Sequence, residues 1–570
     1  MPGNPPPAQP CMRLQLSLCC NPTLMLFCAI LFRLNQEHSV RNKMKKLFAV
    51  VALFTVIATG TYADEWRGRL NELVGKGYEQ VASATARRMP LDTTIIGAVA
   101  SQIPDWQALA RELQNRSFSQ PEKRGELQLN HYTGIDGKSR PWVLYVPETY
   151  WHKRSTPLLV ILHGGVSRAE ISEDPTGWAS ESAFLSLARQ NGWFAVFPFG
   201  QGGATWWDEV GMSNIRGQLH LVKENFNVDD DRVYLAGFSD GASGGFLHAM
   251  LAPDNFAAVV ALNGHMGVGS LDGKLPTYVN NMANTPVYAV TTDKDGLYPT
   301  AVMSRTIEMA IEAGANVFYR QLAGTHSFDY DKTELPVINR FLDRNPRRVS
   351  PVQISWEAGS TNFGRCRWLE IAKILPVKAE PWHVDHNLEM VSDRITIGFM
   401  PETASSGVRV GKVLDETFAA KIGLVADDVI IGVNQSKIET LKDLDVAKEG
   451  VKRGDQFDLT LMRGAEKIEL KGRLPEVELF NLFMRNAPSA KIIARQIGNS
   501  VSITGSRAGS LRLFIHPDQF NLAENIVVTY NGTVVFNDIV KPDLSFMLEN
   551  YLLNRDRKML PVAKISIDLQ

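Results

Sequence analysis

Between His131 and Asn345 the chain alternates short, wholly apolar runs with amphipathic stretches. The runs at 142–146, 157–162, 193–197, 233–236, 257–261, 287–290 and 317–319 are rich in Val, Ile, Leu and aromatic residues and are bounded by turn formers. A strand that is apolar at every position is buried on both faces, so helices must cover both sides of a mostly parallel sheet. The stretches 181–189 and 303–313 have the composition of such helices. Residues 131–347 are therefore expected to form an α/β domain, with its site beyond the carboxyl ends of the strands.

The pattern differs on either side. Upstream, Leu70, Leu73, Val74 and Tyr78 recur at helical spacing, and a second helical run over 93–113 is interrupted by Pro104. Together they predict a helical leader over 64–130 that packs on the next domain. Past Pro351 a period of two takes over at 352–356 and 368–371, resumes at 501–504, and continues at 511–515 and 526–530. Asn531-Gly532 is a two-residue hairpin turn into 533–536, and 563–567 alternates again. These strands predict a β-sandwich in two parts, 351–385 and 485–570, separated by an insertion.

Composition narrows the options. A chain of 570 residues with net charge −1 is long enough for several domains and gives no reason to expect a nucleic acid or an anionic membrane as partner. Four of the five cysteines lie at positions 11, 19, 20 and 28; Cys366 stands alone in the rest, so no disulfide framework is expected there, and burial accounts for it. Met44-Lys45-Lys46, the apolar stretch 47–57 and Thr61-Tyr62-Ala63 have the form of a secretory signal over 44–63, cleaved after Ala63. Cleavage would leave no membrane span and export the protein to the periplasm or medium. Residues 1–43 then read as a gene-start artefact or an extension.

The candidate chemistry sits at strand ends. Gly237-Phe238-Ser239-Asp240-Gly241 lies between a strand and a small-residue helix, the context of a nucleophile elbow. His163-Gly164-Gly165 follows the run ending at Leu162, where the N–H of Gly165 or Val166, with that of Asp240, can hold an oxyanion. Asp293 and Asp295 follow the run 287–290, and His326 lies in a Gly/Thr/Ser loop after 317–319. Nucleophile, acid and base in this order suit acyl transfer. Trp206 and Trp207 on a Gly-rich loop can wall a sugar or aryl ester, or close over the core. His383 and His386 lack further nearby ligands, so no metal is expected.

With these motifs, 131–345 resembles an α/β-hydrolase of the polyhydroxyalkanoate-depolymerase and feruloyl-esterase type. In that family the acid commonly lies four residues before a proline, which selects Asp295 through Pro299, although Thr292-Asp293-Lys294 replaces the usual Gly-Thr-Ala-like lead. The resemblance implies Ser239 as nucleophile, His326 as base, Asp295 as orienting acid, and no cofactor. The implied substrate is a carboxylic ester, with polymeric or carbohydrate-linked esters among the options. A peptidase of the same fold and an inactive scaffold are the rivals.

The insertion, 393–476, resembles a bacterial secreted-type PDZ domain. The matching residues are Ile397-Gly398-Phe399, Gly407 to Val410, Ala419 to Leu424, Asp427-Asp428, Val433-Asn434 and two closing strands. The resemblance implies that an extended peptide adds as a strand and that the loop Ile397, Gly398 and Phe399 receives a peptide or protein C-terminus. Asp427 stands where glycine is usual. The expected fold class is thus an α/β-hydrolase followed by a C-terminal β-sandwich interrupted by a PDZ domain.

Overall fold

The computed structural model describes residues 65–75, 92–169, 173–391, 395–402, 404–415, 417–477 and 479–569. The signal at 44–63 and the stretch 1–43 lie outside them. Two units separate, 1–71 and 72–570. The described part of the first is helical.

In the second unit, eight strands form one sheet: β1 (Leu127–Thr133), β2 (Ser139–Tyr145), β3 (Thr156–Leu162), β4 (Phe194–Pro198), β5 (Val228–Phe238), β6 (Ala258–Leu262), β7 (Val287–Thr292) and β8 (Val317–Leu322). Their spatial order is β1-β2-β4-β3-β5-β6-β7-β8. β1, β2 and β4 pair antiparallel, and every pair from β4 to β8 is parallel. Alternation within the apolar runs supplies two cores. Leu158, Val160 and Leu162 face the layer of helices Glu209–Asn225 and Asp240–Leu251, while Leu159 and Ile161 face Ala183–Asn191 and Asp331–Arg344. The hydrophobic pattern does not predict β1, because its polar residues and edge position leave only Tyr132 buried. The sheet consequently starts at Leu127, inside the stretch expected to be leader.

The leader also reaches the C-terminal region. Its helix Thr93–Ala100 packs on a C-terminal helix, Leu544–Asn554, which a period of two does not predict for this region. Arg116 then bridges Glu224 (2.6 Å) and Tyr551 (3.1 Å), tying leader, α/β domain and C-terminal region together.

Beyond the α/β domain, strands from both sides of the insertion interleave. One sheet orders Arg365–Cys366, Leu369–Ile374, Ala508–Ile515 and Ala563–Asp568; the other orders Thr533–Asp538, Ile526–Tyr530, Ser500–Ser506, Ala490–Ile497 and Gln353–Ala358. Both sheets contribute to a single apolar core, which holds Cys366 fully buried. Arg347, wholly buried, joins this region to the α/β domain by reaching Asp231 (3.0 Å) and Asp556 (2.5 Å). A guanidinium there is tolerated only because both carboxylates meet it; removing one partner typically costs about 3–5 kcal/mol.

The insertion leaves and returns through a two-stranded stem, Leu388–Val391 against Leu479–Phe483, in which Val391 lies opposite Leu479. Phe483 is buried in the core of the α/β domain, so the stem is rooted there.

Candidate active site

The elbow is built by close backbone contact. Ser239 joins β5 to the helix Asp240–Leu251 at φ 59, ψ −124, a region that costs a non-glycine residue about 1–3 kcal/mol. A Cβ on Gly237 would lie 2.2 Å from the Gly241 backbone, and one on Gly241 would lie 2.1 Å from the Leu162 carbonyl oxygen. Both glycines are therefore required for the turn to sit against β3. Gly237→Ala is expected to lower unfolding stability by roughly 3 kcal/mol or more, measured as a shift in the urea midpoint. An unchanged midpoint would mean that the turn relaxes freely.

Three strand ends converge on Ser239. His326 Nε2 lies 2.9 Å from Ser239 Oγ, and His326 Nδ1 lies 2.8 Å from Asp295 Oδ2. Asp295 Oδ1 accepts the N–H groups of Leu297 (2.8 Å) and Tyr298 (2.7 Å), and Oδ2 also accepts from Asn263 Nδ2 (2.8 Å). Burial works to raise the Asp295 pKa, but hydrogen bonds from Tyr298, Asn263, His326 and Leu297 outweigh it and leave it below the ordinary value. An ionised carboxylate only accepts, so Nδ1 carries the proton and Nε2 is free to accept the Ser239 hydroxyl proton. Asp293 acts elsewhere. Its Oδ1 accepts the Gly324 N–H (2.8 Å), while the Lys294 N–H donates to the Gly324 carbonyl (2.8 Å), bracing the loop that carries His326.

The loop after β3 is set just as tightly. Gly164 faces Ser239, and a Cβ there would lie 2.9 Å from Ser239 Cβ. Gly165 adopts φ 66. The Val166 N–H is occupied by Asp240 Oδ2 (2.9 Å), whose other oxygen accepts from Tyr298 Oη (3.2 Å). This removes Val166 as an oxyanion donor. Among the described residues nothing accepts from the N–H of Gly165 or Asp240. His163 holds the loop from below: Nδ1 donates to the Gly164 carbonyl (2.8 Å) and Nε2 accepts from the Gly200 N–H (3.0 Å). Burial lowers its pKa to about 4, so it is neutral at ordinary pH.

Trp206 and Trp207 do not wall the site. Both are buried in the core; Trp206 lies against Gly244 and Gly200 and donates its indole N–H to the His163 carbonyl (2.8 Å). The Gly-rich loop is an inward fold that fills the space left by small helix residues. His383 is likewise internal, bonded to Glu357 (3.0 Å) and Ser506 (3.1 Å). Around Ser239, His326 and Asp295 the structure adds Asn263, Tyr298 and Tyr330, none of which the sequence singles out, and gives His163 a supporting part. The strand-end rule that locates Asp295 applies equally to Asn263 at the end of β6, but an amide carries no titratable signal.

Residues 175–345 match the phospholipase/carboxylesterase family, and residues 395–474 match the PDZ domain family. The chain carries an α/β-hydrolase domain and a PDZ domain. A curated relative, a bifunctional acetylxylan esterase/xylanase of Neocallimastix patriciarum, is 31% identical over 136 residues, which are 23% of this chain and 19% of that protein. The chain thus spans about a fifth of that relative's length. Similar solved structures include a ferulic acid esterase (17% identity, TM-score 0.32, 39% of this chain and 99% of that one). An S-formylglutathione hydrolase of Agrobacterium tumefaciens is also similar (17%, TM-score 0.33, 40% and 99%).

In the PDZ domain the strand Phe399–Glu402 is the outer strand of its sheet and pairs with Val408–Val413. Before it, Ile397 is buried and its carbonyl accepts from the Ala419 N–H (2.8 Å); Gly398, at φ 95, accepts at its carbonyl from the Leu414 N–H (2.9 Å). These carbonyls face the domain. Asp427 meets the turn that glycine usually makes by adopting φ 68, a conformation Asp tolerates better than most residues.

Proposed function

We propose that this protein is an exported serine ester hydrolase whose PDZ domain binds an extended peptide. The reading rests above all on the unbroken hydrogen-bonded line from Ser239 through His326 to Asp295. Ser239 Oγ attacks the ester carbonyl carbon as its proton passes to His326 Nε2. The N–H groups of Gly165 and Asp240 receive the developing oxyanion. Collapse breaks the ester C–O bond, the alcohol leaves with the proton from His326, and an acyl-enzyme remains. Water, deprotonated by the same imidazole, then releases the acid and restores Ser239.

The substrate class is a carboxylic ester on a polymeric or carbohydrate carrier, a reading supported by the name of the curated relative. A panel of acetyl, feruloyl and longer acyl esters beside peptide amides tests it. Ester turnover is expected, and amide turnover without ester turnover would overturn the reading. Export rests on the signal at 44–63, and N-terminal sequencing of the mature chain is expected to begin at Asp64.

The open outer edge of Phe399–Glu402 supports peptide addition as a further strand. Because Val391 and Leu479 face each other across the stem, residues 392–478 can be replaced by an Asn-Gly turn that closes the hairpin. This excision is expected to leave kcat/KM on a small soluble ester unchanged. Loss of small-ester turnover in the folded variant would instead make the PDZ domain part of the hydrolytic site.

A further inference from the structure

Asp295 Oδ2 has a second side-chain partner beside His326, and the role of that partner rests on the hydrolysis proposed above. Asn263 ends β6, is wholly buried and sits at φ 51. Its backbone N–H donates to the Val290 carbonyl (2.9 Å), and its Nδ2 donates to Asp295 Oδ2 (2.8 Å) and Thr292 Oγ1 (2.6 Å). Its Oδ1 accepts from Tyr330 Oη (2.5 Å). The amide can face only one way, since a carboxylate needs a donor and the Tyr330 hydroxyl needs an acceptor.

We infer that Asn263 is a positioning residue for hydrolysis: it holds Asp295 in the rotamer that aims Oδ2 at His326 Nδ1. Oδ2 receives Asn263 and His326, and Oδ1 receives two backbone N–H groups. All of these donors other than a protonated His326 are neutral. They satisfy the carboxylate without cancelling its charge, so the charge stays available to the imidazolium that forms when Ser239 attacks. A cation in the place of Asn263 would compete with that imidazolium. Other titratable groups around the amide are His326 beyond Asp295, Tyr330 with Glu334 and Tyr288 behind it, and the Asp240–Tyr298 pair across the elbow.

The test uses the full chain and a small ester. Asn263→Gly keeps the positive φ and removes the amide; kcat is expected to fall about 10- to 100-fold, the loss of one hydrogen bond to a charged group, with KM unchanged. Asn263→Asp puts a second carboxyl against Asp295. While the pair shares a proton, the carboxylic acid imitates the amide as a donor to Asp295 Oδ2; once both ionise, that donor is lost. Asn263→Asp is therefore expected to restore kcat at lower pH and to fall toward the Asn263→Gly value as the pH rises, a rescue that a purely structural role would not produce. Tyr330→Phe frees Oδ1 and should lower kcat in the native background, with no further loss in Asn263→Gly. Native kcat in folded Asn263→Gly, or a loss in folded Asn263→Asp as deep as in Asn263→Gly at every pH, overturns the inference while the hydrolytic reading stands. Failure of a fluorophosphonate to label Ser239 in the unmodified protein overturns both. If either position-263 variant fails to fold, an unaltered kcat in Tyr330→Phe overturns the inference.

Discussion

Ser239→Ala is expected to abolish ester hydrolysis and fluorophosphonate labelling, with kcat lower on the order of 10⁶-fold. Oγ is the only atom of the residue whose hydrogen bond reaches His326, so its removal takes away the attacking atom while the backbone of the elbow keeps its bonds. The Ala242 and Ser243 N–H groups still donate to the carbonyl at position 239 (2.9 and 3.0 Å), and the N–H of that residue still reaches the Leu262 carbonyl (2.9 Å). Alanine meets the same φ penalty as serine, so the unfolding midpoint should barely move. The residual rate, from oxyanion donors and binding alone, should stand about 10³- to 10⁴-fold above water. Native labelling in the variant would place the nucleophile elsewhere.

Replacing each of the two neighbouring aspartates by asparagine should separate their roles by orders of magnitude. In Asp295→Asn the N–H groups of Leu297 and Tyr298 demand an acceptor at one position, which forces the amide oxygen there and the NH₂ to the side of His326 and Asn263. The NH₂ then meets two donors. His326 can relieve the clash only by carrying its proton on Nε2, where it can no longer accept from Ser239; a loss of about 10⁴-fold in kcat is expected. Asp293→Asn keeps an oxygen for the Gly324 N–H. Its cost should be about 1 kcal/mol of stability or less, with kcat nearly native. Steady-state kinetics at neutral pH on both variants decides the assignment, and equal losses would overturn it.

Much of the scaffold is visible in one dimension. A strand stretch covered on both faces must be apolar at every position, so the buried parts of β2 to β7 announce themselves as runs, edge strand β8 shows only Val317 to Tyr319, and the positions beyond the ends draw attention to Ser239, to Asp293 with Asp295, and to His326. The PDZ domain is legible through its resemblance to a known family, and its departure at Asp427 keeps the backbone conformation that the turn needs. Edge and surface elements are not visible. β1 carries alternating polar residues, and the stem Leu388–Val391 with Leu479–Phe483 is a pair of short segments far apart in the chain whose partnership no local pattern encodes.

What the sequence by itself determined is the kind of residue at each strand end and the order of those strands' apolar runs, because burial leaves a local, periodic trace. Tertiary structure decided the pairings. Ser239 meets His326 across 87 residues, and His326 meets Asp295 across 31. Val166 loses its N–H to Asp240, which lies 74 residues away. Trp206 fills the core because Gly244 leaves room for its ring. Asn263 acquires significance only when β6 brings it beside Asp295. Each of these outcomes depends on which sequence-distant groups share a desolvated space, and a hydrogen bond there is set by neighbours in the fold rather than by neighbours in the chain.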